Sequence, residues 1–238
     1  MNIDHNQAWE FHERELIQCR RCKRLTAWRE EVSCIKRKAY REWNYWGLPV
    51  PGFGDRDAKI FVVGLAPGAH GSNRTGRMFT GDASGDFLYA ALYHTGFANQ
   101  PQATHREDGL VLQDLYISAI CRCVPPDNKP LPEEIVNCRP YLVQEIHFLN
   151  NLQGFVALGS LAYQQLQRIY PLFGWQAPET PFGHGVFWNS PDHTAPWVLA
   201  SYHPSRQNTQ TGRLTVEMFD AIRSEERRVG KECRSRWS

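Results

Sequence analysis

The sequence predicts an α/β fold: a three-layer α/β/α arrangement around a central four-stranded, mainly parallel sheet. Three observations predict it. Three short apolar runs, Ile60–Val63, Phe155–Leu158 and Trp197–Ala200, have the length and residue types of buried strands, and Val111–Ile120 reads as a further strand. Segments with helical spacing of apolar residues lie between them. The first run ends in Gly64, as suits a buried parallel strand.

Taken in order, Ile60–Val63 follows the Pro/Gly-rich segment Pro49–Gly54 and ends at Gly64. Ser84 is expected to open a helix with Phe87, Leu88, Ala91 and Leu92 on one face, stopped by Gly96. Val111–Ile120 reads as the second strand. Pro132, Glu133 and Glu134 suit a helix start, with proline in the first turn and carboxylates at the positive end of the dipole. Ile135, Leu142, Ile146 and Leu149 supply its apolar stripe. Ser160 is expected to cap the helix after the third strand, and a last helix is expected from about Arg213. Active sites of parallel α/β sheets lie beyond the carboxyl ends of the strands. The loops expected there are Gly64–Asp82, Cys121–Asn128 and Ser201–Gly212.

A chain of 238 residues can bury a full core, and residues 1–224 are read as one domain. Hydrophobic residues at 42% and charged residues at 22% fit a soluble globular protein, and no apolar run is long enough to span a bilayer. The polar, acidic start MNIDHNQAWEFHEREL lacks the pattern of a signal peptide, which leads to the expectation of a cytoplasmic protein. The formal charge of +2 is carried by residues 225–238, whose five basic and three acidic groups leave the body neutral. That segment reads as a non-native tail, a vector or adapter scar; the other reading is a natural basic tail touching nucleic acid. From Arg20 to Arg41, nine Lys or Arg stand against two Glu, with Trp28 and Tyr40 among them. Such a run suits either a phosphate backbone or a solvated helix face.

Seven cysteines in a reducing compartment suggest metal ligands plus spare thiols. Cys19 and Cys22 form a CxxC pair, and Cys123 and Cys138 flank a Pro-rich loop and a helix start. Spacing alone leaves structural zinc, an iron–sulfur cluster and unrelated buried thiols all open.

The loop GLAPGAHGSNRTGRMFTGDASG fits neither the Walker nor the dinucleotide pattern, although nucleotide binding stays open on composition. With ASYHPSRQNTQTGRLT, PVPGFGD and RCVPPDNKPLPEEIVNCRP, it resembles the type-5 (B-type), iron–sulfur-containing branch of the uracil-DNA glycosylase superfamily. The resemblance runs from Cys19 to about Ser224. It implies a [4Fe–4S] cluster on Cys19, Cys22, Cys123 and Cys138, with no counterpart for Cys34, Cys121 or Cys233. It also implies a glycosylase that flips a deaminated base out of DNA and hydrolyses its glycosidic bond. Cleavage leaves positive charge on the sugar and negative charge on the base. A carboxylate can stabilise the first and orient water, and a hydrogen-bond donor the second.

On this resemblance Asp82, His203 and Asn128 are the catalytic candidates. Asp82 stands by the sugar and His203 donates to the leaving base. Without the resemblance Asp82 reads as the N-terminal Asp of a helix, His203 as a strand-end histidine and Asn128 as turn chemistry. Gly64, Ala66, Phe79, Ala119 and Asn208 are the substrate-binding candidates, Phe79 by stacking on the base. Ser205, Arg206, Gln207, Thr209 and Thr211 are assigned to phosphate contact or penetration of the duplex. The better-known iron–sulfur branch has an Asn where this chain has Ala119, and an acidic residue where it has Leu65. Loss of those hydrogen bonds implies a wider range of bases, including hypoxanthine and xanthine beside uracil opposite guanine. No lysine stands in either catalytic loop to support a lyase step. A monomer is expected. The competing readings are a non-catalytic iron–sulfur nucleic-acid-binding protein and an electron carrier, neither of which needs the two loops.

Overall fold

The computed structural model describes residues 4–215. The expected helix beyond Arg213 lies almost wholly outside the described residues, as do residues 225–238 and Cys233.

Two helices come first, α1 (His5–Ile17) and α2 (Lys23–Ile35). Six strands follow among the described residues: β1 (Phe53–Gly54), β2 (Ile60–Gly64), β3 (Leu115–Ala119), β4 (Gly154–Leu158), β5 (Phe187–Trp188) and β6 (Trp197–Ser201). Between and after them lie α3 (Ser72–Thr75), α4 (Ala83–His94), α5 (Pro132–Phe148), α6 (Ser160–Ile169) and α7 (Arg206–Gln210). The strands form one sheet in the order β1-β3-β2-β4-β6-β5. The four inner strands are parallel, as the sequence predicts. The two edge strands pair antiparallel and were not foreseen, because two residues carry no readable period.

All five residues of each inner strand are buried, which is why these strands read as continuous apolar runs. Alternate side chains enter opposite cores. Val62, Ile117, Val156 and Leu199 pack with Leu88, Tyr89 and Leu92 of α4. Phe61, Val63, Phe155 and Val198 pack on the other face with Trp9 of α1, Leu142 and Ile146 of α5, and Leu166 of α6. This produces the three layers.

Two local expectations are corrected. The second strand is shorter than Val111–Ile120, because Asp114 has a left-handed backbone (φ 57°) that cannot continue a ladder. Ser160 is the first residue of α6 and not its cap. Gly159 holds the cap position, at a φ of 100° that favours glycine.

From β2 the chain steps to β3 on one side and then crosses to β4 on the other. That reversal opens a crevice beyond the carboxyl end of β2, the expected place for a ligand in an open parallel sheet.

Candidate active site

A cleft of about 660 Å³ occupies this crevice, within the usual range for a small-molecule site and roomy enough for a nucleobase. Its walls come from the loop after β2, the start of α4, the loop after β3 and the loop after β6. They include Leu65, Ala66, Phe79, Asp82, Asn128, His203, Ser205, Arg206 and Gln207.

Asp82 is placed by the helix it begins. It is the N-cap of α4, and its Oδ1 accepts hydrogen bonds from the backbone N–H of Ser84 (3.1 Å) and Gly85 (3.2 Å). The sequence offered a helix cap and a catalytic carboxylate as alternatives; the geometry makes Asp82 a cap and also sets it in the cleft. Its Oδ2 lies so close to Gly68 and Gly71 that a side chain at Gly71 would collide with the carboxylate. Burial raises its pKa, while the two N–H donors pull the other way.

His203 follows β6. Burial pushes its pKa down to about 4, so at neutral pH the imidazole is uncharged and one ring nitrogen carries a hydrogen. Its ring stacks on Phe79, with centroids 5.7 Å apart and planes 30° from parallel. Phe79 has a left-handed backbone (φ 51°), and its ring sits where any side chain at Gly64 would be. A bulky residue persists in that conformation only where its surroundings enforce it, and such strain concentrates at functional sites. Asn208 donates from Nδ2 to the His203 carbonyl (2.8 Å), which fixes the loop carrying the imidazole.

The other proposed residues divide by position. Gly64 and Ala119 are register partners at the ends of β2 and β3; Ala119 is buried in the core, and neither is among the residues that line the cleft. Thr209 within α7 and Thr211 at its C-cap turn their hydroxyls back to the Ser205 and Gln207 carbonyls. Ser205 caps α7, its Oγ accepting from the Asn208 N–H. Sequence reasoning missed Arg37, Tyr40 and His70, which also line the cleft. The basic run was the only signal for Arg37 and Tyr40, and nothing local said that it reaches the catalytic loops; His70 stands within the Gly64–Asp82 loop but was not singled out there.

The uracil DNA glycosylase superfamily model matches residues 51–225. This chain belongs to the uracil DNA glycosylase superfamily. It is 50% identical to a type-5 uracil-DNA glycosylase of Thermus thermophilus, over 90% of this chain and 94% of that protein. A type-5 uracil-DNA glycosylase of Pyrobaculum aerophilum is 45% identical over 87% of each chain. A type-4 uracil-DNA glycosylase of Archaeoglobus fulgidus is 32% identical over 60% of this chain and 63% of that protein. Within the superfamily the chain therefore sits with the type-5 branch.

This superfamily member brings Cys19, Cys22, Cys123 and Cys138 around one small cavity, although they come from three separate parts of the chain. Donors already point at the sulfurs. Arg29 Nη1 is 2.9 Å from Cys123 Sγ, the Arg122 N–H 3.3 Å from Cys138 Sγ, and Asn137 Nδ2 3.7 Å from Cys22 Sγ. Such N–H···S contacts suit electron-rich thiolates and tune a cluster's potential. Among the described residues no group of three or more His, Cys, Asp or Glu converges tightly enough for a single metal ion. Four thiol side chains around one cavity are a donor set that an iron–sulfur cluster or a tetrahedral zinc ion can use. Cys121 and Cys138 interact side chain to side chain, while Cys34 is exposed and away from the cavity.

Proposed function

We propose that this protein is a monofunctional DNA-repair glycosylase that extrudes uracil from DNA and hydrolyses its N-glycosidic bond, leaving an abasic site. The observation that carries this reading is the placing of an N–H-anchored carboxylate and a neutral histidine in one base-sized cleft. With Oδ1 fixed by the helix, Oδ2 of Asp82 orients the attacking water and balances the positive charge growing on the sugar. His203 donates its N–H to a carbonyl oxygen of the departing base, and as an uncharged donor it stays fixed while the base becomes an anion. Phe79 gives the base an aromatic face. Asn128 lines the same cleft and adds a polar contact. Arg206 and Gln207, with Ser205, meet the strand at the rim, and Thr209 and Thr211 hold the helix that presents them.

Hypoxanthine and xanthine belong to the substrate range as well. The wall formed by Leu65, Ala66 and Phe79 selects a planar shape and offers few hydrogen bonds that would reject other bases. The test is an oligonucleotide panel carrying uracil, hypoxanthine or xanthine, with abasic sites detected by alkaline scission. Product from all three is expected. Product from uracil alone would remove the wide-pocket reading, and none from any would remove the glycosylase.

Cys19, Cys22, Cys123 and Cys138 are proposed to hold a [4Fe–4S] cluster, which would cross-link the N-terminal helices to α5. Equal amounts of iron and acid-labile sulfide in purified protein are expected; zinc without iron would overturn it. The cleft is complete within one chain, which supports a monomer. No helix among the described residues is long and apolar enough to cross a membrane. A DNA substrate favours the cytoplasm, where bacterial or archaeal DNA lies.

A further inference from the structure

Arg74 lies outside the residues the glycosylase reading uses, and its surroundings are unusual for an arginine. It is 4% exposed and sits in α3, midway along the loop that runs from β2 to Asp82. Its Nε donates to the His70 carbonyl (2.7 Å) and its Nη2 to the Gly81 carbonyl (2.9 Å). The guanidinium therefore spans the catalytic loop from the residue before Gly71 to the residue before Asp82. Its carbon lies 4.1 Å from the ring centroids of both Tyr40 and Trp43, a cation held between two aromatic faces. Nη1 is buried without a hydrogen-bond partner among the described residues, and the ring faces take the place of an acceptor. Backbone bonds fasten the same junction, with Trp46 N–H on the Arg74 carbonyl and Gly47 N–H on the Asn73 carbonyl.

We propose that Arg74 is a positioning residue that locks the His70–Gly81 loop around the cleft and, through Tyr40 and Trp43, ties it to the segment following α2. The inference rests on the glycosylase reading for its catalytic consequence but not for its structural one. The loop carries Phe79 in its strained conformation and delivers Asp82, so a loosened clamp misplaces both. The cation also acts on the carboxylate. The charged groups that act on Asp82 are Arg74 on α3 and Asp86 on α4, while Arg37, Tyr40, His70, His203 and Arg206 line the same cleft. Burial and Asp86 raise the Asp82 pKa, and Arg74 opposes them. Lysine would keep the charge, but one ammonium cannot reproduce the planar fork between two carbonyls and two rings.

The experiment combines hydrogen–deuterium exchange of the 69–85 segment with single-turnover uracil release across pH. The proteins are wild type, Arg74→Lys, Arg74→Ala, and a Tyr40→Leu/Trp43→Leu double variant that keeps the guanidinium. Exchange in 69–85 should rise in all three variants while α5 and the inner strands keep wild-type protection. Release should slow by roughly tenfold to a hundredfold, the scale of a misplaced reacting group, with little change in DNA affinity. The acid limb of the rate should move to higher pH in Arg74→Ala and stay in place in Arg74→Lys. Wild-type exchange and rate in the two milder variants would overturn the proposal even if Arg74→Ala failed to fold. An inactive wild type would refute the glycosylase reading, with the exchange data still deciding the clamp.

Discussion

At the scale of the residue, Asp82 divides its two oxygens between folding and chemistry. Asp82→Asn keeps an oxygen for the Ser84 and Gly85 N–H groups but removes the charge. Uracil release should fall by about 10²- to 10⁴-fold, while the melting temperature and DNA affinity stay near wild type. A rate within threefold of wild type in a single-turnover assay would take Asp82 out of the chemistry. His203 makes a pH prediction. Its native pKa near 4 lies below the unfolded value of about 6.5, so the unfolded chain binds the extra proton first. Its contribution to stability is complete above about pH 6.5 and is lost as pH falls toward 4. The His203 imidazole should show no titration near pH 6.5 in NMR spectra; a midpoint there would mean a charged donor at mildly acidic pH. At this scale the sequence exposed the polar residues of the loops but not their environments. Asp82 was legible as a helix cap from local pattern alone, whereas its place in the cleft needed the family motif. Nothing in the string announces the left-handed backbone of Phe79, because that strain is imposed by packing across Gly64 and Gly85.

At the scale of the element, the helices and inner strands were legible because each carries a period or an uninterrupted apolar run. What escaped was pairing between distant elements. Arg24 on α2 makes a bidentate contact with Glu134 on α5 (2.8 and 2.7 Å) and adds a bond to the Lys129 carbonyl. Glu134 also accepts from the Leu131 N–H, so one carboxylate caps α5 and anchors α2. These two helices bring Cys22 and Cys138 to the same cavity. Arg24→Met should cost about 1.5–3 kcal/mol, the range for charged hydrogen bonds, and, with the proposed cluster bound, should speed iron loss to a chelator. Urea denaturation with an unchanged midpoint would show that the contact contributes little. The nine basic residues of this region looked like one surface stripe in the sequence. The structure sorts them, since Arg29 is 1% exposed and turned to Cys123 while Arg37 stands at the cleft.

At the scale of the whole molecule, the family match begins at residue 51 but the folded unit does not. Trp9 is fully buried in the core, Cys19 and Cys22 complete the cysteine cavity, and Arg37 and Tyr40 line the cleft. Arg37 and Arg206 reach that cleft from opposite ends of the chain, both with exposed side chains. If both neutralise phosphates, Arg37→Gln and Arg206→Gln should each reduce the slope of log affinity against log salt by about 1. Fluorescence anisotropy across a salt series reads this directly, and an unchanged slope for Arg37→Gln would remove it from the DNA path. Two consecutive residues of the loop after β3, Asp127 (φ 53°) and Asn128 (φ 57°), also have left-handed backbones. Glycine would relieve the left-handed backbone at either position at a cost in unfolded-chain entropy, so the two substitutions should change stability by similar, small amounts. Only at 128 would it delete a side chain from the cleft. A screen for heat resistance alone should therefore treat Asn128→Gly and Asp127→Gly alike. Selection for excision should retain the second and purge the first, so the two screens would diverge at adjacent codons.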